Sequence, residues 1–135
     1  YSGALLHYQQ SLPKNRRVPL LLLQNNLPQD DETEFCKWFK RYQPDAMITF
    51  HNRVPLWLAH TLNLRIPEDI GVVVHDWMPG MEAFAGIDHR RAHVAAAAVD
   101  LVATKLKLNE KGVPAVPQQI LIPPRFIDGP SIRGL

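Results

Sequence analysis

Apolar residues along this chain switch between two periods, one of a helix and one of a strand, and the switches mark out the elements. Leu5, Leu6, Tyr8 and Leu12 lie near helical spacing ahead of Pro13, which predicts a helix stopping there. Val18 to Leu23 is a continuous apolar run, as expected of a strand covered on both faces, with Pro19 at its start where a missing N–H costs least. After a polar loop, Gln24 to Gln29, the residues Phe35, Trp38, Phe39 and Tyr42 recur at i, i+3, i+4 and i+7 and predict a helix with one core-facing stripe. Asp31 and Glu34 have capping-box spacing, so that helix is expected to open near Asp30.

Further on, Asp45 to Phe50 and Ile70 to Val74 read as short buried strands, with a helix from Val54 to about Asn63 between them and Pro55 in its first turn. Ala85 to Asp88 is a fourth, very short strand or an extended entry to a long helix. That helix is expected from His89 or Arg90 to about Asn109, with Asp88 as its N-cap and Gly112 as its breaker. Its Ala95–Ala98 run carries so little bulk that it can lie close to a sheet. Gln118 to Ile127 is a final extended segment, and Pro123-Pro124 points to a sheet edge or an exit from the sheet. Strand starts near 18, 46 and 70 have the spacing of right-handed βαβ crossovers, so the class is α/β with a parallel sheet.

Composition narrows the classes without choosing among them. The chain has 135 residues, enough for one domain, and 46% hydrophobic with 21% charged residues is the usage of a globular protein. Fifteen basic against thirteen acidic residues leave a net charge of +2, too small for a nucleic-acid surface within these residues. No apolar run approaches the roughly 20 residues of a membrane helix. One cysteine, Cys36, forms no internal disulfide and suits a reducing compartment, with the cytoplasm as the default location. The chain opens on Tyr1 without methionine or a signal-peptide pattern and enters a helix at once, so it is expected to be a piece of a longer protein.

Ligands of an open parallel sheet bind beyond the carboxyl ends of its strands. Three polar clusters are expected there: Gln24-Asn25-Asn26, His51-Asn52 and His75-Asp76-Trp77, with Asp88-His89 as a fourth. Asn and Asp suit ligand hydroxyls, and Trp offers a flat apolar face of the kind that stacks on a sugar ring or a base. Polar residues also follow strands in every α/β protein because loops do, so spacing alone does not choose between a site and a solvated loop. His89 and His93 stand four apart on one helix, but lack the metalloprotease glutamate or a cysteine nearby, so no metal or other cofactor is expected. His75 and Asp76 are adjacent in a strand and point to opposite faces, which argues against a His-Asp dyad. Phosphate-cradling glycine motifs and a nucleophile elbow are missing, so no catalytic residue is assigned.

The connector and strand Leu64-Arg65-Ile66-Pro67-Glu68-Asp69-Ile70-Gly71-Val72-Val73-Val74-His75-Asp76 resemble those of the lactose/galactose repressor family of bacterial transcription regulators. Pro44 to Asn52, Ala85 to His89, Ala98 to Val102 and Ile120 to Pro124 resemble the neighbouring family segments, in order, over nearly the whole chain. The resemblance implies that residues 1–135 are the C-terminal lobe of a periplasmic-binding-protein-like effector domain, a Rossmann-like three-layer α/β sandwich. It implies a homodimer, joined through the Val54–Asn63 helix and the Met78–Phe84 loop. It also implies a small-molecule effector, of carbohydrate type, and operator DNA bound through an N-terminal domain outside this sequence.

Carried over by position, Asp76 falls at the family's effector-contacting carboxylate, Asn52 or its neighbour His51 near the effector-contacting Asn, and His89 where a polar residue faces the cleft. Two departures stand out: Trp77 replaces the usual second Asp, and the helix after Asn52 is about one turn short. The expected effector-binding residues are therefore Asp76, Trp77, Asn52, His51 and His89. Two alternatives are a stand-alone sugar-binding protein of a transport system, which would be exported, and an α/β enzyme, which would need an activated nucleophile or base.

Overall fold

The computed structural model describes residues 2–23, 28–114 and 116–134. Four short strands form one sheet in the order β1 (Ala46–Thr49), β2 (Gly71–Val74), β3 (Ala85–Asp88) and β4 (Arg125–Ile127). β1, β2 and β3 run parallel, with Met47 opposite Val72 and Val73 opposite Ala85, while β4 returns antiparallel beside β3. The fold is α/β of the Rossmann-like kind, and the segment after Pro123-Pro124 is an edge strand, as prolines in the approach favour.

Alternation along the strands decides which face is packed. Met47 and Val72 sit side by side on one face, and there Val72 joins Phe35, Val54, Trp57, Leu58 and Ile70 in the core. Phe35 comes from α2 (Pro28–Tyr42), the helix that follows α1 (Ser2–Gln10) in the chain, and its Trp38 and Phe39 also pack on that cluster, so the apolar stripe faces the core as its spacing predicts. The rings form a chain: Phe35 lies 5.6 Å from Trp57 and 6.0 Å from Phe39 between centroids.

Helix α3 (Val54–Leu56) continues into a π-helical turn, Trp57–Thr61. The wider i to i+5 bond from Leu62 N–H to the Trp57 carbonyl, 3.0 Å, marks it, and Thr61 Oγ1 donates to Glu32 of α2 at 2.6 Å. α4 (Arg91–Lys107) buries no residue.

Several local expectations are corrected. Val18–Leu23 is not a strand: it runs extended outside the sheet, with Leu21 and Leu23 packed on the core and Leu22 exposed. It is tied instead by side chains, the Trp38 indole donating to the Pro19 carbonyl at 2.9 Å and the Gln9 amide to Val18 at 2.5 Å. α2 begins at Pro28, so Asp31 lies within its first turn and is not the cap; proline is well suited to opening a helix because its missing N–H is unpaired there in any case. The residue before α4 is Arg90, with φ 52°, and Asp88 bonds the Arg90 N–H at 2.7 Å one step earlier, as an Asx turn. α4 ends at Lys107, close to the expected Asn109, but the residue that breaks it is Asn109 and not Gly112. Asn109 takes a left-handed φ of 50°, and the Asn109 and Glu110 N–H groups return to the Leu106 and Lys105 carbonyls, closing a Schellman motif. In the alanine run Ala95, Ala96 and Ala98 are exposed, and α4 borders an open groove shared with the extended segment, lined by Ala97, Leu101, Ile120 and Ile122 among others.

Candidate functional site

The parallel register puts the carboxyl ends of β1, β2 and β3 side by side, and the sequence loads all three with polar or aromatic residues. Main-chain bonds lock the first two, with His75 N–H donating to the Thr49 carbonyl at 2.9 Å. Phe50, just past β1, stacks on His75, just past β2, with ring centroids 3.9 Å apart. His75 in turn meets His89, just past β3: His89 Nε2 lies 2.9 Å from the His75 carbonyl oxygen and 3.3 Å from His75 Nδ1. His75 is buried, and desolvation first, then the neighbouring His89, holds its pKa below the ordinary 6.5, with Asp76 pulling the other way.

Asp76 stands beside this pair. Its Oδ2 pairs with the Arg91 guanidinium, presented by the first residue of α4, and Arg91 also reaches Met78 Sδ at 3.0 Å. Its Oδ1 is buried without a hydrogen-bond partner. An ionised carboxylate accepts through both oxygens, so this one is left with an unused and desolvated acceptor.

The other expected residues divide. Trp77 is half-buried, and its indole N–H is committed to the Met81 and Phe84 carbonyls, each at 3.1 Å, so it braces the 78–84 loop. His51 lies over Trp57, centroids 4.9 Å apart, and its Nδ1 accepts from the Arg53 N–H at 3.2 Å, which ties it to the start of α3. Asn52 is exposed at the turn. Asp76 and His89 therefore converge around His75, while His51 is engaged by Trp57 and Arg53 and Asn52 is exposed. The Gln24-Asn25-Asn26 cluster lies outside the described residues.

Arg91 is not among the residues expected from the sequence, and His75, expected in a strand-end cluster, is not among the expected effector contacts. Adjacency to Asp76 argued against His75 as half of a dyad, and its actual ring partner is fourteen residues away. Arg91 carried a signal in retrospect: α4 has no acidic residue in its first turn, where the helix dipole favours one, and the arginine there finds its own carboxylate.

Elsewhere, a groove of about 390 Å³ runs along α2 between Glu32, Cys36, Lys40 and Thr61 and shares no residue with the strand-end cluster. Burial and Glu32 push the Cys36 thiol up, which disfavours the reactive thiolate. Among the described residues no group of three or more His, Cys, Asp or Glu is placed to hold a metal ion, and no helix is long and apolar enough to cross a membrane.

The sequence matches no family model and no curated protein sequence. The fold is similar to that of the transcription regulator CcpA of Lactococcus lactis in its crystal structure, with a TM-score of 0.63 at 18% identity over 98% of this chain. The chain spans 48% of that regulator's chain, about half its length.

Proposed function

We propose that this chain is the effector-sensing lobe of a ligand-responsive, DNA-binding transcription regulator, acting by binding and not by turnover. The likeness in fold to one half of a transcription regulator supports the architecture. The observation that carries the ligand is Asp76, with Oδ2 pinned by Arg91 and Oδ1 buried and unpaired. The Asp76 side chain as a whole is 43% exposed, and a hydroxyl-rich molecule that meets this carboxylate as it turns supplies the donor that Oδ1 lacks, which favours a carbohydrate-type effector.

In this reading Asp76, Trp77, Asn52, His51 and His89 form one wall of a cleft whose other wall belongs to a second lobe. Asp76 accepts a ligand hydroxyl, His89 lines the floor, and Asn52 and His51 bound the β1 side. A ligand that binds the closed pair of lobes better than the open pair shifts their equilibrium, and DNA-binding domains of a cytoplasmic homodimer read the shift.

The test is calorimetry on the full-length protein with a panel of mono- and disaccharides, then on its Asp76→Ala variant. A hydrogen bond to a charged group is worth about 1.5–3 kcal/mol, so the variant is expected to lose roughly 10- to 100-fold in affinity while keeping its melting temperature within a few degrees. An Asp76→Ala variant that binds the same saccharide with unchanged affinity overturns the cleft assignment.

A further inference from the structure

Three rings stand in a row across the carboxyl ends of neighbouring strands. Phe50 stacks on His75 with planes 23° apart, and His75 meets His89 with centroids 4.9 Å apart and planes 40° apart. The two imidazoles also share a polar contact whose proton positions follow from its geometry. A carbonyl oxygen only accepts, so His89 Nε2, 2.9 Å from the His75 carbonyl, carries a hydrogen and donates it. That same N–H faces His75 Nδ1 at 3.3 Å, so Nδ1 holds a lone pair and neutral His75 keeps its hydrogen on Nε2. A second proton on His75 must enter at Nδ1. There it would point at the His89 N–H, donor against donor, across the same 3.3 Å.

We propose that His75 and His89 form a proton-operated latch between the ends of β2 and β3: closed while His75 is neutral, and released when His75 takes up a proton at Nδ1. When closed, the latch holds His89 against the β2 end, beside Asp76. When released, it frees the β3 end and the start of α4. His75 is thus a positioning residue for His89.

The surroundings fit such a device. His75 is only 8% exposed, so an imidazolium there loses most of its hydration. Among the described residues, the charged groups next to the pair are Asp76, which favours the imidazolium, and Arg91, whose pairing with Asp76 offsets that pull. On the β3 side Asp88 is engaged by the Arg90 N–H and lies 3.8 Å from Arg125, and on the β1 side the ring partner is the uncharged Phe50. With a folded-state pKa below the ordinary 6.5, the unfolded chain takes up the proton first as pH falls. The latch's share of stability is therefore complete above about pH 6.5 and is lost progressively as pH falls from there towards the folded-state value.

The consequence for effector binding rests on the proposed function, whereas the latch itself does not. It is read without ligand, by an NMR titration of the histidine Cε1–H signals of the full chain from pH 8 to pH 4.5. His75 is expected to titrate below 6.5, with the His89 signals and the β3 end moving at the same midpoint. In His89→Gln, whose amide still donates to the carbonyl but carries no second proton, the His75 midpoint is expected to rise, because the neighbouring imidazole that helps to hold it down is gone. In His75→Gln the acid-side fall in melting temperature between pH 6.5 and the latch midpoint is expected to shrink. Independent titration of the two histidines, with His75 at or above its ordinary value, overturns the latch, and that outcome needs no variant to fold. A latch that titrates as described while Asp76→Ala leaves saccharide affinity unchanged sinks the effector reading and leaves the latch standing.

Discussion

The two faces of the sheet are made from the same strands and finish in opposite ways. Towards α2 and α3, Val72 and its neighbours are sealed, with Leu58 and Ile70 at 0% exposure. On the other face Ile48 and Phe126 remain 64% and 54% exposed, and along α4 Val94, Val99, Val102 and Leu106 are exposed as well. Both sides carry large hydrophobic residues. What differs is whether aromatic stripes interlock, as Phe35, Phe39 and Trp57 do, or whether the side chains stay exposed, as along the alanine-rich α4, which buries no residue. Burial and not residue type is what stabilises, so this chain's stability is concentrated on one face.

That contrast is broken most directly from the packed side. Leu58→Ala removes a fully buried side chain of the π-helical turn from the core cluster and is expected to cost about 2–5 kcal/mol in urea unfolding, the range for such cavities. A smaller effect is expected at the seam between β2 and β3. A Cβ at Gly86 would lie 2.6 Å from Val74 Cγ2 and from the Val74 carbonyl oxygen, and 2.8 Å from Trp77 Cβ, so Gly86→Ala should cost about 1–3 kcal/mol through strain. The smallest belongs to the open face. Leu106→Ser replaces a residue 73% exposed and should move stability by no more than about 0.5 kcal/mol. A cost for Leu106→Ser close to that of Leu58→Ala would erase the distinction between the faces.

Much of the packed side was legible in the sequence because both of its signals are local. The Phe35–Trp38–Phe39–Tyr42 period needs only one helix to be recognised, and β1, β2 and β3 each sit within a residue or two of their apolar runs. Val18–Leu23 failed because hydrophobicity says that a run is buried, not that a neighbouring backbone is free to pair with it. The breaker of α4, though not its end, was misplaced for another reason: Asn109 tolerates the left-handed turn nearly as well as glycine, and it comes three residues before Gly112. At the strand ends, the sequence placed His75, Asp76 and His89 after their strands, and the sheet register had to be known before the His75–His89 contact and Arg91 fell into place. Trp77 shows the limit from the other side, since a tryptophan at the right position turned out to brace a loop through its indole N–H.

Ser131 links these observations to time. It is almost fully buried; its hydroxyl donates to the Val72 carbonyl at 2.5 Å and accepts from the Ala85 N–H at 2.8 Å, and its carbonyl accepts from Val72 N–H at 2.8 Å. One side chain thereby stands in for a missing rung between β2 and β3, whose direct pairing covers only Val73 with Ala85 and Val74 with Gly86. The partners lie 59 and 46 positions upstream. During synthesis the two strands leave the ribosome well before the residue that stitches them, so the parallel seam stays unlocked until position 131 has emerged. The strand-end cluster is assembled across that same seam, and it acquires its final shape only after nearly all the rest of the described chain has been made.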